Sequence, residues 1–133
     1  MSRIIKARKI SGGIAEGEAL IAKTRLSFWG GADPITGIIV EKGNELEGAC
    51  FKDKVLIFIS TKGSSGTSMM LSIAKIHNTK PAAFINTELD ALAALGCISS
   101  NFPMVAEPEE DVFSIIENGD WVKVDADNGL IEI

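Results

Sequence analysis

Val55-Leu56-Ile57-Phe58-Ile59 is an unbroken apolar run of strand length, and the glycine- and serine-rich stretch Thr61-Lys62-Gly63-Ser64-Ser65-Gly66-Thr67-Ser68 follows almost at once. A strand without polar alternation is buried on both faces, the condition of a central strand in a parallel sheet. Parallel strands need a crossover, and the next segment supplies one. From Thr67 to His77, the residues Met69, Met70, Ile73, Ala74 and His77 recur on one face at helical spacing. This predicts a helix laid against the sheet.

The same alternation continues downstream. Pro81-Ala82-Ala83-Phe84-Ile85-Asn86 reads as a second strand, and Thr87-Glu88-Leu89-Asp90 offers a capping-box-like start to a short helix ending at Gly96. Pro103-Met104-Val105-Ala106 is a third strand. Pro108-Glu109-Glu110-Asp111 then opens a helix with acids at its positive end, which Gly119 stops. Upstream, Ile4 to Ile10, Gly17 to Ala22 and Ile38 to Val40 are short extended segments separated by turn residues. At the other end Trp121 to Ala126 alternates with period two, and Asp127-Asn128-Gly129 is a hairpin signal before Leu130 to Ile133. Extended segments, then a βαβαβ run, then a returning hairpin predict an α/β domain of three layers, a β/β/α sandwich.

Residues 1–133 read as one unit, since no linker, low-complexity tract or repeat divides them and 133 residues fill a single core. Hydrophobic residues at 46% and charged residues at 23% match folded chains rather than disordered ones. The excess of 18 acidic over 13 basic residues leaves a net charge of -5, which gives no footprint for a phosphate backbone and predicts no nucleic-acid partner. No apolar run reaches the roughly 18–20 residues of a bilayer span, so no membrane association is expected. Arg3, Lys6, Arg8 and Lys9 break up any secretory signal, and a cytoplasmic location is expected. Cys50 and Cys97 lie far apart in apolar stretches, predicting reduced, buried thiols.

Ligands of open α/β sheets bind at the carboxyl ends of the strands, where the Thr61–Ser68 stretch begins. Its glycines let backbone approach a ligand closely, its serines add donors, and the following helix start can attract an anion by roughly 0.3–1 kcal/mol per charge. The spacing is not that of a Walker loop, and serine–glycine loops also cap helices without any function, so spacing alone leaves both readings open. The single histidine, His77, falls at the far end of the helix, which argues against a serine triad and for a packing role. One His and two distant Cys cannot furnish a metal site, so any iron must come from elsewhere. Among only six Phe and two Trp, Phe28 and Trp29 run into the turn Gly30-Gly31, marking either a contact site or a loop tucked over the core.

Four motifs in order, Gly17-Glu18-Ala19-Leu20, Ser27-Phe28-Trp29-Gly30-Gly31 with Asp33, Thr36 and Gly37, Lys62-Gly63-Ser64-Ser65, and Pro81-Ala82-Ala83, resemble the aconitase X swivel domain family over nearly the whole chain. The resemblance implies the small subunit of a hydro-lyase, with the fold of the mobile aconitase swivel domain. It implies that Ser64 removes the substrate proton, and that Lys62, Gly63 and Ser65 bind substrate beside it. It further implies an iron or iron-sulfur centre on a separate large subunit, joined in a heterodimer or larger complex, drawing off the leaving hydroxyl as a Lewis acid. Lys62 stands where many members carry Arg, which removes the bidentate fork. Family members act on cis-3-hydroxy-L-proline or on mevalonate 5-phosphate, so a small carboxylate- or phosphate-bearing substrate is expected. The Ser-Phe-Trp-Gly-Gly and Gly-Ser-Ser forms lean toward hydroxyproline. Rivals of other classes are a phosphohistidine-type swivel carrier, suggested by the closing Gly119-Asp120-Trp121-Val122-Lys123-Val124-Asp125 run, and a non-catalytic anion-binding module.

Overall fold

The computed structural model describes residues 3–62 and 66–133. Among them the strands are β1 (Ile4–Lys6), β2 (Arg8–Ser11), β3 (Ile14–Ile21), β4 (Ala32–Asp33), β5 (Ile38–Ile39), β6 (Val55–Phe58), β7 (Ala83–Asn86), β8 (Met104–Ala106), β9 (Trp121–Asp125) and β10 (Leu130–Glu132). The helices are α1 (Thr67–Ile76), α2 (Ala91–Ser100) and α3 (Val112–Ile115).

Alternate residues of β6 enter two different cores. Val55 and Ile57 pack with Ile5, Ile21, Ile85, Val105, Val122, Val124 and Ile131, all from strands. Leu56 and Phe58 pack on the other side with Leu71 and Ala74 of α1 and Ala93 and Cys97 of α2. Both faces of the strand are therefore buried, as its unbroken apolar sequence requires. The same division splits Ala83 and Ile85 from Phe84 on β7, and Val105 from Met104 on β8. Strand layer, strand layer and helix layer form the expected β/β/α sandwich.

The main sheet runs β1-β10-β9-β3-β6-β7-β8-β2. Strands β3, β6, β7 and β8 are parallel neighbours, with α1 and α2 as the connections from β6 to β7 and from β7 to β8. The long β3 serves both strand layers: Ile14 to Glu18 pair antiparallel with β9, and Ala19 to Ile21 pair parallel with β6. The segment read as one strand from Ile4 to Ile10 is divided at Ala7, because β1 pairs with β10 and β2 pairs with β8.

Three local expectations change. The buried face of α1 is Thr67, Leu71 and Ala74, whereas Met69, Ile76 and His77 are exposed. The helix is rotated because it must meet α2 as well as the sheet. Helix α2 does not end at Gly96 but runs through it to Ser100, and Asn101 in the left-handed region closes it. Gly96 is an approach point between helices, since a Cβ there would lie 2.5 Å from Leu71 Cδ1. Asp111, rather than Pro108, begins the short α3, its carboxylate accepting from Phe113 N. The closing hairpin is as expected: Leu130 faces Asp125 and Gly129 takes a φ of 67°.

Candidate active site at the carboxyl ends of the parallel strands

Beyond Phe58 the chain does not leave the sheet freely. Ile59 N donates to Thr24 O at 3.1 Å, Leu26 N donates to Ser60 O at 3.0 Å, and Lys62 N donates to Leu26 O at 2.9 Å. Segment 24–26 thus extends the parallel pairing up to Lys62, the residue before Gly63. On the other side Thr87 N and Glu88 N donate to the carbonyls of Phe58 and Ile59. Asp90, the N-cap of α2, completes the clamp. One carboxylate oxygen accepts from Leu92 N at 3.0 Å and Ala93 N at 3.4 Å, and the other from Thr61 N at 2.5 Å and Thr61 Oγ1 at 2.6 Å. A capping acid therefore fixes the helix start and the backbone leading into the serine-rich stretch together.

Two cations stand on this rim, each matched by a carboxylate. Lys62 Nζ lies 3.0 Å from Glu41 Oε1, and Arg25 Nη2 lies 2.7 Å from Glu88 Oε1. The Glu41 side chain is largely buried and also accepts from Asn44 Nδ2 at 2.8 Å. The expected anion-binding Lys62 is thus paired, through its half-exposed side chain, with a carboxylate of its own chain. Gly63, Ser64 and Ser65, the other residues assigned to the site from sequence, lie outside the described residues.

Phe28 and Trp29 take opposite roles. Phe28 is buried, with ring centroids 6.1 Å from Phe51, 6.1 Å from Phe58 and 5.5 Å from Phe84. Trp29 is 54% exposed. The turn behind them needs glycine, because a Cβ on Gly31 would lie 2.1 Å from Ser27 O. Asp33 closes the next turn by accepting from Ile35 N at 2.9 Å, and that N–H holds its carboxyl below the ordinary carboxylate range. The motif acid is a turn former.

His77 is exposed at the carboxyl end of α1, about 15 Å along the helix from the Gly66 end, so it is neither a packing residue nor a base for this site. Cys97 is buried and reduced as expected, and burial pushes its thiol well above the usual range. Cys50 is free but exposed, because it sits on a loop beside Thr36 rather than in the core. Among the described residues no group of three His, Cys, Asp or Glu side chains is placed to hold a metal. The chain's own described donors do not fit an iron centre. No helix among the described residues is long and apolar enough to cross a membrane.

Three residues of the rim escape sequence reasoning: Arg25, Asp90 as a partner of Thr61, and Asn86. Asn86 ends β7 in register with Phe58 and Ala106, is fully buried, and its amide oxygen and nitrogen both lack a hydrogen-bond partner. The signal was present, since one amide closes the otherwise apolar run Ala83-Phe84-Ile85.

Parallel strands β3, β6, β7 and β8 between a second strand layer and a helix layer make this an α/β swivel domain. The model of the aconitase X swivel domain matches residues 4–133, and the chain belongs to that family. It is the small subunit of an aconitase-X-type dehydratase, a hydro-lyase. The phosphomevalonate dehydratase small subunit of Methanococcoides burtonii is 42% identical over 97% of this chain and 94% of its own length. That of Thermococcus kodakarensis is 40% identical over 97% and 95%. The crystal structure of Thermococcus kodakaraensis aconitase X in its holo-form superposes with a TM-score of 0.93 at 40% identity, covering 98% of both chains. The two small-subunit relatives are named for phosphomevalonate and not for hydroxyproline.

Proposed function

We propose that this chain is the small subunit of a dehydratase that eliminates water from mevalonate 5-phosphate. The carrying observation is the end-to-end similarity, 42% over 97% of the chain, to a phosphomevalonate dehydratase small subunit. Ser64 is the catalytic base and Gly63 and Ser65 contribute substrate contacts. Lys62 exchanges Glu41 for an anionic group of the substrate as the site fills. A large subunit provides the rest of the pocket and any iron centre, in a heterodimer or larger assembly. The short supports on both sides of residues 59–62 favour this reading, because a weak base works only when held still and shielded from water.

The test is co-expression with the large-subunit reading frame and assay of the complex on mevalonate 5-phosphate and cis-3-hydroxy-L-proline. Dehydration of the phosphate compound, abolished in Ser64→Ala with assembly intact, is the expected result. Turnover of hydroxyproline alone overturns the substrate, and an active Ser64→Ala complex overturns the base.

A further inference from the structure

We propose that Asn86 is a further positioning residue of this dehydratase site, whose side-chain amide is left unpaired in the free chain and takes up a hydroxyl-bearing partner when large subunit and substrate complete the site. The inference rests on the reading above and names one more residue for the same reaction. Asn86 is 0% exposed, and neither its Oδ1 nor its Nδ2 has a partner. Buried amides in native proteins are almost always paired, and an unpaired one carries a desolvation penalty that an apolar side chain would not. Its backbone is not the cause: Asn86 O accepts from Glu107 N at 3.1 Å, and β7 keeps register with β6 and β8 through this residue. Nor can its register neighbours serve it, since Phe58 and Ala106 have no polar side-chain atoms.

Placement gives the orphaned amide its meaning. Strand alternation sets Asn86 on the face of Phe84, the helix side, opposite Ala83 and Ile85. It is the last residue of β7, at the sheet edge from which segment 59–62 and the N-cap Asp90 project. This is the end of the sheet where α/β proteins bind ligands. Among the described residues Ser100 Oγ is the only other buried side-chain atom so left, and it lies at the opposite end of α2. An unmatched donor and acceptor together call for a group that both accepts and donates, as a hydroxyl or the water it carries does. A buried group that costs the fold stability is a common mark of a site residue.

The experiment compares Asn86→Leu and Asn86→Asp with the wild type, as the full chain alone and as the reconstituted complex. Asn86→Leu alone is expected to melt at the same or a higher temperature, while its complex assembles and loses about tenfold or more in kcat/KM on mevalonate 5-phosphate. Asn86→Asp, which keeps the shape but not the donors, is expected to fall with it. A lower melting temperature for Asn86→Leu, with activity following the folded fraction, overturns the inference in favour of a structural amide. So does unchanged turnover in a well-folded Asn86→Leu complex. A wild-type complex inert toward mevalonate 5-phosphate overturns the functional reading itself, and the inference with it.

Discussion

A single oxygen of Asp90 receives both the backbone N–H and the hydroxyl of Thr61, at 2.5 and 2.6 Å, while its twin caps α2. The strand end and the helix start are therefore coupled through one carboxylate. Asp90→Ala removes a cap worth about 1 kcal/mol and charge-assisted bonds worth about 1.5–3 kcal/mol, for an expected loss of about 2–4 kcal/mol in urea unfolding. Thr61→Val removes only the hydroxyl and is expected to cost about 1 kcal/mol. In the complex Asp90→Asn is expected to lower kcat more than its stability change explains.

Phe28 and Trp29 are adjacent but are expected to respond in opposite ways. Phe28→Ala empties the centre of the aromatic cluster and should cost about 3–5 kcal/mol of folding stability. Trp29→Ala should leave the chain's stability within about 0.5 kcal/mol. In the complex, Trp29→Ala is expected to weaken association with the large subunit by about 2 kcal/mol, measured by titration calorimetry.

Gly96→Ala tests the helix contact. Alanine gains about 1 kcal/mol in helix propensity but thrusts a methyl into Leu71, and overpacking costs about 1–3 kcal/mol. The net result expected lies between no change and a loss of about 2 kcal/mol. In a Leu71→Ala background that loss should vanish, which a double-mutant cycle would show.

The two thiols should separate cleanly. Cys50 reacts with a thiol reagent in the native chain, whereas Cys97 reacts only on unfolding. Burial raises the folded-state pKa of Cys97, so the unfolded chain loses this proton first as pH rises. Its stabilising contribution is present below the ordinary thiol range of about 8–9 and is lost progressively above it. Chemical denaturation between pH 7 and 10 should show the decline, reduced in Cys97→Ala.

Much of this fold is legible in the sequence because its signals are local. The apolar run at Val55–Phe58, the Asp127-Asn128-Gly129 turn and the βαβαβ order each depend on neighbouring residues alone. What local patterns do not encode depends on distant partners. The face of α1 is set by α2, Gly96 is needed for Leu71 rather than for ending a helix, and the strand from Ile4 divides because its two halves meet different neighbours. The site follows the same rule. The serine-rich stretch announces itself by composition, while Asp90 on Thr61 and Glu41 on Lys62 join residues 29 and 21 positions apart, which no local pattern encodes.

Ala7 alone separates β1 from β2, yet those strands stand at opposite ends of the main sheet order. Ile4 pairs with Glu132, so β1 waits for β10, made about 130 residues later. On the ribosome β8 and β2 can join while β1 still lacks its neighbour, exposing a raw strand edge that invites a second nascent chain. Late closure should make folding slow for a chain of this size and make residues 4–11 the costliest segment to delete.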